Sequence, residues 1–212
     1  MQRRRREEPP PSNSPKEGTI VVSEQFWEEL SKADLERVCA FSLAELSVSK
    51  TLCLKFLNKK IHVNLADRSL WEGESRIHYP LLELLVLVYL INVRSDPVKN
   101  DLISVSELKD AHFFTGPHVL KTAPLVERFG NDPEGFKRAA VSIGGKPEAF
   151  ADASFRFNPF PKIPICYLLW EGDEMFPPEL TVLFDRSIEN HLPADAVWGV
   201  INLLSDALLM AG

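Results

Sequence analysis

The run Thr51-Leu52-Cys53-Leu54-Lys55-Phe56 alternates between two kinds of side chain, Asn58-Lys59-Lys60 turns the chain, and Ile61-His62-Val63-Asn64-Leu65 resumes the alternation. A period of two sends every second side chain to the same face of a strand, so this stretch reads as a β-hairpin with one buried face. A different period follows. Pro80 suits the first turn of a helix, where its missing N–H costs nothing, and Leu81, Leu82, Leu84, Leu85, Val86, Leu87, Val88 and Leu90 are apolar nearly all round. Such a helix belongs in the centre of a core.

Working outward, Ser23 offers a side-chain oxygen to the free N–H groups of a helix running to about Val38, with Phe26, Trp27, Leu30 and Ala33 as its apolar stripe. Leu102 to Val105 is a short strand, after which Ser106 caps a turn around Glu107 to Lys109. The segment Val119 to Phe129 is helical except that Pro124 must break or restart it, and Gly130 closes it in a left-handed conformation. Asp132 and Pro133 open a further helix with Phe136, Ala139, Ala140 and Ile143 inward, ended by Gly144-Gly145. Ala153 to Phe157, Pro164 to Trp170 and Leu180 to Phe184 are strands, Asp185 caps a single helical turn, and Pro193 opens a last helix carrying Val197, Val200, Ile201, Leu204 and Leu208 at helical spacing. Strands and helices do not alternate as a doubly wound parallel sheet requires. The expectation is an α+β fold, a mostly antiparallel sheet with helices packed on one side, in a single domain over residues 19–212.

Composition sets limits on function. The 212 residues are 45% apolar and 25% charged, an ordinary globular balance, and a chain of this length builds a core without disulfides or a structural metal. The net charge of -6 gives no broad positive field for a phosphate backbone, which argues against nucleic acid as a partner. The basic run Arg3 to Arg6 is followed by Glu7 and Glu8, then by Pro9, Pro10 and Pro11, so residues 1–18 read as a disordered leader. Cys39, Cys53 and Cys166 lie far apart among apolar neighbours, as reduced thiols do. They include no Cys-x-x-Cys pair, so this chain's own cysteines build no iron–sulfur cluster. The longest apolar run, Pro80 to Val93, is shorter than the ~20 residues a membrane span needs. No apolar segment follows the N-terminal arginines, and the expected location is the cytoplasm, with no membrane association.

The candidate chemistry centres on Trp170-Glu171-Gly172-Asp173-Glu174-Met175-Phe176-Pro177-Pro178, a connection between two strands that leads on to Asp185. Trp170, Asp173, Glu174, Phe176 and Asp185 are the candidate ligand- or partner-binding residues there, because carboxylates held near aromatic rings can be tuned for binding or proton transfer. The alternative is structural: Gly172 and Asp173 make the turn, Trp170 and Phe176 pack inward, and Asp185 caps the next helix. His112 and His118 flank Phe113-Phe114-Thr115-Gly116-Pro117 and form a second candidate pair, at a spacing that lets two imidazoles meet one ligand. No nucleophile elbow and no Cys–His protease pattern is present.

The order of Pro124-Leu125 with Phe129-Gly130, Ile143-Gly144-Gly145, Pro161 and Pro164, Trp170 with Gly172-Asp173-Glu174 and Phe176-Pro177, Leu183-Phe184-Asp185 and Leu192-Pro193 resembles the domain-of-unknown-function family numbered 3786, over about Leu82 to Leu209. Some relatives are described as iron–sulfur proteins because a separate cysteine-rich segment precedes the domain. Here an arginine- and proline-rich leader stands in that place, so the resemblance does not carry a cluster over. It implies a setting in anaerobic redox or one-carbon metabolism, with no catalytic residues to transfer. The leading expectation is a binding module for a partner protein or for a metal- or tetrapyrrole-type cofactor. The alternative is a metal-assisted hydrolase or transferase in which Asp173, Glu174 and Asp185 converge with His118. A dimerisation unit built on the last helix is a third reading.

Overall fold

The computed structural model describes residues 22–47 and 49–212; the leader read over residues 1–18 lies outside them. Helix α1 (Glu24–Lys32) is capped by Ser23, but the helix read through to Val38 stops at Ala33, whose ψ of 157° is extended. Asp34 causes the interruption. Its carboxylate accepts the N–H groups of Glu36 and Arg37 and starts a new helix, α2 (Leu35–Ser42). Trp27 and Leu30 are buried, as the stripe requires.

The hairpin forms in the expected place and grows into a meander. Strands β1 (Glu45–Leu46), β2 (Thr51–Phe56), β3 (Lys59–Asn64), β4 (Ser69–Glu72) and β5 (Ser75–Ile77) make an antiparallel sheet in sequence order. The turn is Leu57-Asn58, not Asn58-Lys59-Lys60, because Phe56 pairs with Lys59 and the ladder continues through both lysines. Leu57 takes φ +53°, an unfavourable value for leucine. Its N–H reaches Pro159 O at 3.2 Å and its side chain is buried, so contacts from a hundred residues away hold the conformation.

Helix α3 (Pro80–Asn92) buries Leu82 and every residue from Leu85 to Leu90. It packs against α1 and α2. Strand β6 (Leu102–Ser104) leads into a short turn in which the Glu107 carboxylate accepts the Ser104 N–H, so Ser104, not Ser106, sits at the cap. Helix α4 (Ala123–Phe129) restarts with Pro124 in its first turn. Gly130 is right-handed, with φ -56°. Glycine is needed there for closeness: a Cβ would lie 2.5 Å from Val126 O and 2.7 Å from the Pro178 ring. Helix α5 (Pro133–Ser142) is capped by Asp132 at its start and followed, past Ile143, by Gly144, whose φ of +91° favours glycine.

Strands β7 (Lys146–Glu148), β8 (Ala153–Phe160), β9 (Ile163–Trp170) and β10 (Glu179–Asp185) join β6 in a second antiparallel sheet, in the order β6-β10-β9-β8-β7. Helix α6 (Ile188–His191) and the long helix α7 (Ala194–Ala211) complete the fold. By length and composition α7 could cross a membrane, yet half of it is buried here against α3, α4 and α5. The architecture is a single α+β domain, as the sequence leads one to expect, with two antiparallel sheets where one was anticipated. Rings join the parts. Tyr89 of α3 stacks on Phe160 of β8 at 4.5 Å, and Phe56 of β2 meets the same ring edge-on at 5.5 Å.

The buried Tyr89 hydroxyl donates to Ser42 O at 2.9 Å and so ties α3 to the end of α2. Tyr89→Phe strands that carbonyl, and we expect it to cost about 1–3 kcal/mol of stability, read from the urea unfolding midpoint at unchanged slope.

Candidate functional site

The ladder between β9 and β10 opens at Trp170↔Glu179, and residues 171–178 project beyond it. Trp170, Met175 and Phe176 are 44%, 80% and 66% exposed, and Phe150 in the neighbouring turn is 45% exposed. That turn and the loop are held together by the Glu171 N–H, which donates to Asp152 Oδ2 at 2.9 Å. The loop keeps its shape through Asp173. Its Oδ1 accepts the N–H groups of Met175 and Phe176 at 2.7 Å each, and its own N–H donates to Phe176 O. At its base, the Gly172 N–H donates to Gly130 O, and a Cβ on Gly172 would lie 2.6 Å from Pro178 Cδ. The result is a braced tip carrying apolar rings and a thioether into solvent. Among the described residues, Asp152, Glu171, Asp173, Glu174 and Glu179 take part in no ion pair.

Trp170, Asp173, Glu174 and Phe176 therefore share one surface. Asp185 does not. It closes the far end of β10, and six residues at about 3.3 Å per residue put roughly 20 Å between it and the loop end of that strand. Two-carboxylate catalytic pairs reach only about 9.5 Å, so Asp173 and Glu174 cannot converge with Asp185 on one metal or substrate. His112 and His118 lie on separate short turns. His118 is stacked on Phe113 at 4.3 Å and meets Trp198 edge-on at 5.4 Å, while His112 is exposed. Among the described residues, no group of three or more His, Cys, Asp or Glu side chains is placed to hold a metal ion. The thiols of Cys39, Cys53 and Cys166 are free, on α2, β2 and β9, and burial pushes Cys166 up to about 11.

Asp185 belongs to a buried polar clamp that sequence patterning did not bring out. Its Oδ1 accepts the Ser187 N–H and hydroxyl and, from the segment between α3 and β6, the Lys99 N–H at 3.0 Å. Burial alone would raise its pKa, but these donors outweigh it and hold the carboxyl below its ordinary value. Lys162 Nζ donates to Arg94 O at 2.6 Å and Asp96 O at 2.9 Å. His191, fully buried, accepts the Arg94 N–H through Nδ1 at 3.3 Å, which leaves the ring proton on Nε2. Within the described residues, His191 Nε2 and Asp185 Oδ2 have no hydrogen-bond partner. Burial, and then the Lys162 ammonium, hold the imidazole below its usual pKa. Residues 94–101 form no regular structure, and these three side chains supply partners for backbone groups of Arg94, Asp96 and Lys99. Lys162 and His191 carried no local signal: each is a polar residue between apolar strands and turns, and only the return of residues 94–101 gives it a task.

A family model described as a domain of unknown function (DUF3786) matches residues 34–207, which extends the likeness read over Leu82 to Leu209 back through the first sheet. No curated protein and no solved structure matches the chain.

The clamp makes stability depend on pH in a definite sense. The folded His191 takes up its proton below the ordinary value of 6.5, so from there downward the unfolded chain binds more protons and is favoured. We expect stability to fall below pH 6.5 by up to about 1.4 kcal/mol per pH unit until the folded imidazole also protonates. His191→Asn, which keeps an acceptor for Arg94, should flatten that part of the profile in urea titrations at pH 7.5, 6.5 and 5.5. A profile as steep as that of the wild type would refute the assignment.

Proposed function

The chain belongs to the DUF3786 family, whose description assigns no activity, and from the geometry we propose that it is a non-catalytic binding module that docks a partner protein through the loop between β9 and β10. The observation that carries this reading is the exposure of Trp170, Met175 and Phe176 on a tip whose backbone is braced by Asp173 and Asp152. Large apolar side chains carried outward on a braced backbone have no use in the protein's own core, and a two-torsion aromatic side chain loses little conformational entropy when a partner covers it. Tryptophan and other aromatic anchors supply much of the energy of protein interfaces. The carboxylates around the tip, Asp152, Glu171, Glu174 and Glu179, favour a partner whose contact surface is basic.

The reading as a metal-assisted hydrolase or transferase loses its motive, because its carboxylates lie at opposite ends of β10. A setting in anaerobic redox or one-carbon metabolism stays part of the proposal on the family resemblance, and a cytoplasmic location on the sequence reading; neither is supported by geometry.

Affinity capture with the full chain tests the reading. We expect the wild-type protein to retain one partner in stoichiometric amount, and Trp170→Ala with Phe176→Ala to lose it by about 30-fold or more, as removal of a hot spot worth about 2 kcal/mol or more requires. Thermal unfolding of the Phe176→Ala single variant should match the wild type, since that side chain is largely exposed, and the loss of partner should already be seen in it. Raising salt from 0.1 to 1 M, which shortens the screening length from about 10 to about 3 Å, should release the partner. Retention of the same proteins in the same amounts by the double variant would end the proposal.

A further inference from the structure

The face of the first sheet turned away from the core carries a row of side chains that the fold does not use. Glu45, Cys53, His62, Trp71 and Arg76 are successive cross-strand partners on β1 to β5, so they lie at one register across the sheet. Their sequence neighbours Leu52, Leu54, Ile61, Val63 and Leu70 are buried, and the pleat therefore turns the row outward. A groove of about 780 Å³ runs over it, within the range of small-molecule sites. Cys53, His62, Asn64 and Trp71 line this groove half-buried, with Lys60 exposed beside them. The Trp71 indole is fixed by its N–H, which donates to Ser69 Oγ at 2.7 Å.

The charge of this face runs against that of the whole chain, which is -6. Lys55 and Lys60 stand directly opposite each other on β2 and β3, a like-charge pairing that disfavours the hairpin. Among the described residues neither lysine, nor Arg76, makes an ion pair. Glu45 is the one carboxylate in the row. Two unpaired cationic side chains at one register of this face, Lys60 lining the groove and Lys55 beside it on the neighbouring strand, call for an anion. A Trp71 ring one strand over and two residues along, roughly 8 Å away by strand geometry, calls for a planar group.

We propose that this groove binds a heteroaromatic phosphate of mononucleotide size, with its ring on Trp71 and its phosphate between Lys55 and Lys60. His62, level with Trp71, offers a hydrogen-bonding group on the side of the lysines, and Asn64 and Thr51, one step further along the same face, offer theirs to the far edge of the ring. The site is separate from the β9–β10 loop, and the proposal does not rest on that loop's role.

Cys53 provides an internal reporter, because it lines the groove while Cys166 is buried and Cys39 lies on α2. The full chain is alkylated with iodoacetamide in the presence of AMP, FMN, adenosine or inorganic phosphate, and the Cys53 rate is followed by peptide mass spectrometry. Saturable protection by AMP or FMN is expected, at concentrations at least 10-fold lower than for adenosine or phosphate, since each of those supplies half of the contacts. The AMP and FMN arms show which ring size fits. Lys60→Glu, an exposed substitution that relieves the like-charge pair, should weaken protection at least 10-fold, and Lys60→Arg should preserve it. Trp71→Ala should abolish the preference for AMP over phosphate. The proposal is overturned if neither mononucleotide protects Cys53 at millimolar concentration, if adenosine protects as well as AMP, if Lys60→Glu leaves protection unchanged, or if only a polynucleotide protects.

Discussion

Burial of α3 is the constraint from which the architecture follows. A helix of thirteen residues with apolar side chains on nearly every side has no face to give to water, and each side chain fully buried contributes about 1.5–3 kcal/mol relative to exposure. One sheet cannot cover it. The chain therefore brings α1 and α2 to one side and α7 to another, and the Tyr89–Phe160 stack fixes α3 to the second sheet. Phe56 meets the same Phe160 ring, so the two sheets and the central helix share one aromatic joint. Gly199 of α7 marks how close the helices come: a Cβ there would lie 3.1 Å from Leu85 Cδ2.

Around that centre two departures from ordinary partition stand at opposite ends of β10. At one end, Trp170, Met175 and Phe176 are apolar and outside. At the other, Asp185, Lys162 and His191 are polar and inside, with residues 94–101 held by their hydrogen bonds. The clamp explains itself within the fold, because an irregular segment crossing a buried region must find partners for its N–H and C=O groups. Nothing inside the fold explains the tip or the basic, indole-bearing face of the first sheet, and those are the two surfaces from which function is read.

Much of the secondary structure was legible because it depends on near neighbours. The alternation in Thr51 to Phe56, the all-apolar run after Pro80 and the Asp132-Pro133 helix start each need only a few adjacent residues to be read. Sequence and structure part where a local signal competes with another or with a distant one. Asp34 split a continuous-looking helix by offering its carboxylate to the next two N–H groups. The turn moved to Leu57-Asn58 because Pro159 O waits for the Leu57 N–H. Gly130 was needed for the approach of Pro178, not for a left-handed cap. Strands β4 and β5 leave no mark in the sequence, since Ser69 to Ile77 carries too short an alternation to stand out without β3 beside it.

The sequence by itself determined the α+β class, the antiparallel hairpin, the central position of α3 and the acid- and aromatic-rich composition of the β9–β10 loop. Tertiary structure alone decided that Trp170 and Phe176 face water, that Asp185 faces the interior with Lys162 and His191, and that Cys53, His62 and Trp71 line one groove. The physical reason is range. Propensity and periodicity act over a few residues along the chain, whereas exposure, the partner of a buried polar group and the membership of a surface row depend on segments that meet only once the chain has folded.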